Sequence, residues 1–183
     1  MNRIRLFIVT LLFSVMSYAD LSIEEAVNRP GTVILMRHAL APGIGDPETF
    51  QVDRCETQRV LNDTGRRQAQ RLGDQLRRAG LAATQVYSSQ WCRCLETAEL
   101  LDLGPVIEEP GLNSFFQGYV SRTEALRLLN QRLNTLPLDQ PPVVMVTHQV
   151  TISAVTGLYT QSGGMVSFDL KTGRAAPIIG ATP

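Results

Sequence analysis

Two apolar runs in the chain are continuous rather than alternating. Residues 32–36 read TVILM and residues 143–147 read VVMVT. Short apolar runs rich in β-branched residues are typical of strands buried on both faces of a parallel sheet. Pro30-Gly31 and Pro141-Pro142 mark where these runs begin. The pattern therefore predicts two central strands.

Apolar residues at helical spacing mark the segments between the strands. In residues 66–79, Ala69, Leu72 and Leu76 fall on one side, and arginines and glutamines cover the other. Strands that alternate with helices predict an α/β sandwich, in which ligands bind beyond the carboxyl ends of the strands. The other predicted helices are 91–101, 122–136 and 150–158, and the other predicted strands are 85–88, 105–108, 165–170 and 176–179.

A polar stretch separates the first central strand from the first of these helices. Residues 41–62 contain Pro42, Gly43, Gly45 and Pro47, which predicts a long loop. Loops of this length in compact domains are usually functional or mobile.

The start of the chain has the layout of a secretory signal peptide. Arg3 and Arg5 give a positive start, an apolar run follows to Met16, and residues 17–19 place small side chains two positions apart. The run is shorter than the roughly 20 apolar residues that span a membrane, which favours cleavage over an uncleaved anchor. We expect a signal peptide at 1–19, one domain at 20–183, a periplasmic or secreted location, and no stable membrane insertion after cleavage.

The charge balance gives no indication of a nucleic-acid partner. The chain has 17 basic and 17 acidic residues, so removal of the two N-terminal arginines leaves 15 basic residues and a formal net charge of about −2. A nearly neutral chain has no electrostatic attraction to nucleic acid or to an anionic membrane surface.

Three cysteines are present, and an exported protein meets an oxidising compartment in which disulfides persist. Cys92 and Cys94 are too close in sequence to bond each other comfortably. We expect Cys55 to pair with Cys92 or with Cys94, which leaves one thiol over. The sequence lacks the two pairs of closely spaced ligands that a structural zinc site needs, so a zinc site is not predicted.

Both histidines of the chain follow a predicted central strand. Arg37 and His38 come directly after the first strand. Thr147 is the last residue of the second strand, and His148 follows it. Adjacent strands would bring the two imidazoles together. Two histidines fall short of the three protein ligands of a catalytic zinc, so the site is interpreted as metal-free.

Arg93 is the third basic group predicted at this edge of the sheet. It lies in the first turn of the helix after the 85–88 strand, where free backbone N–H groups favour an anion. Phosphoryl transfer needs positive donors for the equatorial oxygens and an in-line nucleophile, and a neutral imidazole can be that nucleophile. The pattern predicts a phosphate-handling enzyme with His38 as its nucleophile.

These segments resemble the histidine phosphatase superfamily, the phosphoglycerate-mutase-like group (branch 1). Arg37-His38-Ala39 is similar to its Arg-His-Gly signature, with Ala39 in place of glycine. Residues 89–98, SQWCRCLETA, are similar to its Ser-x-x-x-Arg-x-x-x-Thr-Ala segment. Residues 61–69, LNDTGRRQA, resemble its Leu-x-x-x-Gly-x-x-Gln-Ala helix start, and His148 resembles its second histidine.

The resemblance implies a three-layer α/β/α fold with a mostly parallel central sheet, and a mechanism without metal or cofactor. His38 would attack phosphorus and carry the group as a phosphohistidine. Arg37, Arg93 and His148 would bind the phosphoryl oxygens until water releases phosphate. The implied partner is a small phosphorylated substrate.

One family feature is missing. Many members carry a glutamate acid after the Thr-Ala helix and its following strand, but residues 111–116 read GLNSFF. General acid catalysis typically contributes ~10²–10⁴-fold, so either a loop carboxylate substitutes or the leaving group is a good one. In the long loop, Arg54 and Arg59 are candidates for binding the rest of the substrate. The candidate acids there are Asp46, Glu48, Asp53 and Glu56.

Three function hypotheses remain open. The first is an exported phosphomonoesterase. The second is a phosphatase of another leaving group, either an envelope phosphosugar such as a lipopolysaccharide core phosphate or a phosphohistidine. The third is a non-catalytic phosphate-binding module, which the missing glutamate favours and the pair of histidines argues against.

Overall fold

The computed structural model describes residues 20–81 and 84–180, and the predicted signal peptide at 1–19 lies outside the described residues. The strands are β1 (Leu21–Ser22), β2 (Thr32–Arg37), β3 (Val86–Ser88), β4 (Val106–Glu108), β5 (Val143–Thr147), β6 (Met165–Asp169) and β7 (Ala175–Ile179). The α-helices are α1 (Ile23–Val27), α2 (Asp63–Arg78), α3 (Cys92–Leu101), α4 (Arg122–Thr135) and α5 (Gln149–Thr156). Two short 3₁₀ helices cover Cys55–Thr57 and Pro110–Leu112.

All of these strands belong to one sheet, in the order β1-β7-β6-β2-β5-β3-β4. Strands β2, β5, β3 and β4 are parallel to one another, and β1 is parallel to β7. Strand β6 is antiparallel to both β2 and β7. The sheet is therefore mixed and mostly parallel, which confirms the predicted α/β fold.

Alternate residues of β2 are buried on opposite faces of the sheet. Val33 and Leu35 lie in an apolar cluster with side chains of α4 and α5. Ile34 and Met36 lie in a second cluster with side chains of α1, α2 and α3. Burial of each such aliphatic side chain stabilises the fold by about 1.5–3 kcal/mol. Two apolar faces with helices over each produce the three-layer α/β/α arrangement.

The start of α2 is held close to the chain that leaves β2. Asn62 caps the helix by accepting a hydrogen bond from the backbone N–H of Gly65. A Cβ atom at Gly65 would collide with the carbonyl of Leu40, so only glycine permits this approach. The glycine of the LNDTGRRQA segment thus has a packing role.

The pairing of β2 with β5 sets the geometry of the predicted site. The strands run in register from Val33 opposite Val143 to Arg37 opposite Thr147. The backbone N–H of His38 then donates to the carbonyl of Thr147, at 3.0 Å. The residues that follow the two strands are consequently neighbours.

The predicted elements agree with the structure to within about three residues at each end, apart from α1 and β1, which the apolar pattern did not indicate. These two are very short, and a capping box between Ser22 and Glu25 fixes the start of α1. Within the described ranges, no helix has the length and apolar character needed to cross a membrane.

Candidate active site

His38 lies immediately after β2 and is 2% exposed. Its Nδ1 is 2.7 Å from the carbonyl oxygen of Ala39. A carbonyl only accepts, so Nδ1 carries the hydrogen and Nε2 carries the lone pair. The backbone N–H of Ala39 donates to Thr97 Oγ1, which in turn donates to the carbonyl of Arg93. These bonds fix both the tautomer and the orientation of the imidazole.

His148 caps α5 from the end of β5, and its ring centroid is 5.5 Å from that of His38. Its Nε2 is 2.9 Å from the hydroxyl of Ser89. The Ser89 hydroxyl donates to Asn113 Oδ1 and accepts from the backbone N–H of Trp91, so Nε2 of His148 is the donor to Ser89. The second histidine is therefore held by buried hydrogen bonds between the ends of β3 and β5.

Burial lowers the pKa of His38 well below its usual value, and the positive charge of Arg93 lowers it further. Burial likewise lowers the pKa of His148, again with a contribution from Arg93. Both imidazoles are therefore neutral at neutral pH. A neutral imidazole with a free Nε2 lone pair is the form of histidine that can act as a nucleophile.

Arg93, at the start of α3, is bound by Asp46 from the long loop. Nη1 is 2.8 Å from one carboxylate oxygen and Nη2 is 3.1 Å from the other, and both side chains are 3% exposed. The other carboxylate contacts are hydrogen bonds from the Trp91 indole and from the backbone N–H of Arg59. Burial raises the pKa of Asp46, but hydrogen bonds from Arg93 and the backbone outweigh that effect and lower it overall.

Two guanidinium N–H groups at this site are buried and have no hydrogen-bond partner among the described residues. They are Nε of Arg37 and Nε of Arg93. The Nη1 of Arg37 donates to the carbonyl of Thr160 at 3.1 Å, and the Nη atoms of Arg93 are occupied by Asp46. Buried charged donors without partners are rare, and an anion is the ligand that satisfies them.

Arg59 is the third arginine of the site. It donates to the carbonyls of Gly45 and Ala41, and so ties the two ends of a short loop segment together. Burial lowers its pKa to about 10, with a further contribution from the charge of Arg93, so it remains protonated at neutral pH.

A cavity of about 220 Å³ opens beside these groups. Its charged lining residues are Arg37, Arg59, Arg93 and Asp46, which give a formal net charge of about +2. That charge matches a phosphate dianion. His148 lines the cavity. His38 is not among the lining residues and lies beside His148, with their ring centroids 5.5 Å apart.

Residues that do not titrate stand where the resemblance places a glutamate acid. Asn113 accepts from Ser89 and from the backbone N–H of Gln90, and its amide donates to the Gln90 side chain. Its role is thus to hold the β3 strand end. Ser114 follows it and lines the cavity.

The structure separates the four loop carboxylates proposed as acids. Of the four, only Asp46 lines the cavity. Glu48, Asp53 and Glu56 are exposed side chains outside the cavity lining. The loop folds around the Asp46 contacts, so its remaining acidic residues face solvent.

The two loop arginines are also separated. Arg59 lines the cavity as expected, but Arg54 does not. Arg54 is about half exposed and pairs with Glu56 at 2.8 Å. A substrate contact of Arg54 stays a prediction, since its side chain lies outside the lining and pairs with a neighbouring exposed carboxylate.

A disulfide joins the long loop to the start of α3. It pairs Cys55 with Cys92, and Cys94 is a free, buried thiol. Gln58 accepts a hydrogen bond from the backbone N–H of Cys92 beside this link. Burial raises the pKa of Cys94 to about 12, so it is a neutral thiol, with its sulfur 3.4 Å from His148 Nε2.

No group of three or more histidine, cysteine, aspartate or glutamate side chains in the described ranges is arranged to hold a metal ion.

Several residues of the site have roles that the sequence did not assign. Ser89 and Thr97 belong to the SQWCRCLETA segment, so their fixed spacing from Arg93 was a usable signal. Gln117, whose amide bonds the backbone N–H and carbonyl of Asp46, had no such signal. Its contact joins two loops that are far apart in sequence.

The chain belongs to the histidine phosphatase superfamily (branch 1), whose family model matches residues 33–125. A search among curated proteins finds no match.

Solved structures of the same fold include phosphatases. The protein histidine phosphatase SixA, in complex with tungstate, is 15% identical with a TM-score of 0.54, over 80% of this chain and 93% of that one. A mycobacterial glucosyl-3-phosphoglycerate phosphatase is 16% identical with a TM-score of 0.56, over 81% and 97%. A Thermus thermophilus protein, TTHB049, is 21% identical with a TM-score of 0.56, over 80% and 98%. At these identities the likeness shows the fold.

Proposed function

We propose that the chain is an exported phosphatase that hydrolyses phosphate monoesters through a phosphohistidine on Nε2 of His38. The observation that carries this proposal is the state of that imidazole. The Nδ1 hydrogen is committed to the Ala39 carbonyl, and the lowered pKa leaves the Nε2 lone pair free. Membership of the histidine phosphatase superfamily supports the same chemistry.

The reaction has two steps. In the first, Nε2 of His38 forms a bond to phosphorus while the bond from phosphorus to the leaving-group oxygen breaks. That oxygen departs with the bonding electron pair and takes a proton from solvent. In the second, water attacks the phosphohistidine, the nitrogen–phosphorus bond breaks, and phosphate and neutral His38 are released. The guanidinium groups of Arg37 and Arg93, which line the cavity, supply positive charge for the phosphoryl oxygens in both steps.

Trapping the intermediate tests this proposal. The chain is incubated with acetyl phosphate, quenched in alkali, where phosphohistidine survives, and digested for mass mapping. We expect one phosphoryl group on His38, and none in the His38→Asn variant, which should also release phosphate at least ~10³ times more slowly because it lacks the nucleophile. Equal phosphate release by both proteins would contradict the mechanism. Phosphate binding without any turnover would favour the non-catalytic module.

A second candidate activity is cleavage of a phosphoramidate such as a phosphohistidine. Among the described residues, Asp46 is the one carboxylate in the cavity lining, and it is committed to Arg93. An alkoxide leaving group needs a general acid to protonate it, whereas the leaving group of a phosphoramidate needs that help less. A lining without a free carboxylic acid therefore fits a phosphoramidate better than an alkyl phosphate. The likeness to the protein histidine phosphatase SixA supports the same class. Comparison of imidazole phosphoramidate with an alkyl phosphate as substrates distinguishes the two.

Export remains part of the proposal. The disulfide between Cys55 and Cys92 supports it, because disulfides persist in oxidising compartments. Fractionation of cells that produce a C-terminally tagged chain should find the tag outside the cytoplasm, on a protein that begins at Asp20. A cytoplasmic, uncleaved chain would contradict the proposal.

A further inference from the structure

The cavity has exposed apolar side chains at its mouth as well as charged side chains in its lining. The three most exposed of the large apolar side chains in the described part of the chain are Ile44 (90%), Tyr159 (78%) and Phe116 (58%), and all three line this one cavity. They come from three separate loops, after β2, after α5 and before α4. Exposed apolar side chains that converge on a single opening indicate a binding surface.

Each of these side chains is close in sequence to a residue that contacts the charged lining residues Arg37, Asp46 or Arg93. Ile44 is two residues before Asp46, which binds Arg93. Tyr159 precedes Thr160, whose carbonyl accepts from Arg37. The chain segments that carry Ile44 and Tyr159 are therefore tied to the arginines of the lining.

Phe116 is tied to the charged lining in the same way. It precedes Gln117, and the Gln117 amide hydrogen-bonds both the backbone N–H and the carbonyl of Asp46. The apolar mouth and the charged cluster are thus parts of one connected structure.

The mouth offers no charge for a second anionic group. The three arginines and Asp46 account for the charged residues that the structure describes in the lining, and Arg59 already donates to two backbone carbonyls. Apart from His148, which is neutral, the remaining lining is made of glycine, serine, glutamine and apolar residues. A bisphosphate or a phosphorylated carboxylic acid would leave its second charge unpaired there.

We propose that Ile44, Phe116 and Tyr159 form a specificity surface for the group attached to phosphorus, and that the substrate class is a monophosphate carrying an uncharged apolar group. The inference rests on the proposed function, in that the charged cluster binds the phosphoryl group. Contact with the three side chains would favour such a substrate over a phosphosugar, because sugar hydroxyl groups would lose hydrogen bonds to water against apolar surface.

Binding of phosphonates tests the proposal without requiring turnover. Benzylphosphonate, methylphosphonate and 2,3-dihydroxypropylphosphonate share the dianion and differ only in the attached group. Calorimetry with the full-length mature chain, at a pH above their second ionisations, should find benzylphosphonate bound about tenfold or more tightly than either of the other two, because a buried phenyl ring adds that much affinity. Equal affinity for all three, or no binding at all, would overturn the proposal.

Variants assign the preference to the surface. Phe116→Ser and Tyr159→Ser should each reduce the ratio of benzyl to methyl affinity by about threefold or more, because each removes part of the apolar contact. The matched control is Leu138→Ser, which replaces a side chain of similar exposure (56%) outside the cavity lining and should keep the wild-type ratio. An unchanged ratio in both cavity variants would overturn the proposal. If the wild-type chain prefers benzylphosphonate but forms no phosphohistidine, the specificity surface stands and only the proposed function is contradicted.

Discussion

The carboxylate of Asp46 and the guanidinium of Arg93 form a bidentate ion pair, although 47 positions separate them in the chain. A carboxylate offers two oxygens to an arginine fork in the same way that a phosphoryl group does. Asp46 therefore occupies the two Arg93 nitrogens that would otherwise bind phosphate. On the proposed function, an incoming phosphoryl group therefore competes with this carboxylate for Arg93.

Replacement of Asp46 should make the fold less stable and more dependent on phosphate. Asp46→Asn leaves the buried charge of Arg93 without its counter-ion, so we expect the free energy of unfolding to fall by about 3 kcal/mol. Added phosphate supplies the missing negative charge. The increase in Tm caused by a fixed phosphate concentration should consequently be larger in Asp46→Asn than in the wild-type chain. Thermal unfolding with and without phosphate measures both effects.

Asp53→Asn is the control for that experiment, because Asp53 is an exposed carboxylate of the same loop outside the cavity lining. It should match the wild-type chain in stability and in its response to phosphate. A phosphate-induced shift in Asp46→Asn no larger than the wild-type shift would show that Asp46 and the anion do not share Arg93.

The fold was largely predictable, because local signals carried it. TVILM and VVMVT are apolar at nearly every position, and this marked β2 and β5 as central strands before any pairing was known. Because both histidines follow the carboxyl ends of central parallel strands, they are predicted at the same edge of the sheet. The short β1 and α1 carry too few residues for a periodic signal, and the pairing of Leu21 with Ile178 is a contact between the two ends of the described chain.

The site was less predictable, because its remaining contacts join distant loops. The motif spacing pointed to Arg93, and the strand ends pointed to His38 and His148. No sequence period links Asp46 to Arg93 or Gln117 to Asp46. The loop carboxylates were therefore equivalent in the sequence, and only the folded loop distinguishes Asp46 from the exposed ones.

The rate of hydrolysis should depend steeply on the leaving group. Among the described residues, no carboxylate other than Asp46 lines the cavity, so alkyl phosphates lack the general acid and should react ~10²–10⁴ times more slowly than aryl phosphates or phosphoramidates. Neutralising the exposed carboxylates by Glu48→Gln, Asp53→Asn and Glu56→Gln should change each rate by less than about twofold, since none of them reaches the cavity. Steady-state rates over a series of leaving groups measure the slope. A tenfold loss on alkyl phosphates in one of these variants would identify an acid that the structure does not place at the cavity.

Activity should persist into mildly acidic solution. Burial and the charge of Arg93 lower the pKa of His38 well below its ordinary value of 6.5. In the proposed mechanism the neutral imidazole is the nucleophile. The acid limb of kcat/KM should therefore lie below pH 6.5, once the second ionisation of the substrate, measured separately by phosphorus NMR, is divided out. A limb centred at or above the ordinary value would contradict the lowered pKa.

The same pKa shifts predict acid sensitivity of the fold. The unfolded chain binds protons at both histidines below about pH 6.5, whereas the buried imidazoles bind them only in more acidic solution. The free energy of unfolding therefore keeps its neutral-pH value above the unfolded-state pKa of the histidines. It decreases as the pH falls from that value towards the lower pKa of the histidines in the folded chain. Urea unfolding at several pH values measures this decline, which should be shallower in His38→Asn because one of the two groups is removed.

Reduction of the disulfide should lower both stability and activity. The bond between Cys55 and Cys92 closes a loop over a sequence separation of 37, and a loop of that size corresponds to about 4 kcal/mol of chain entropy. That loop contains the Arg59 and Gln58 contacts, and Cys92 is adjacent to Arg93. The double variant Cys55→Ala/Cys92→Ala should unfold at lower urea concentration and be insensitive to dithiothreitol. The Cys94→Ala variant keeps the bond and should lose stability on reduction as the wild-type chain does. If reductant instead leaves Cys94→Ala unaffected, the redox sensitivity belongs to the free thiol and not to the disulfide.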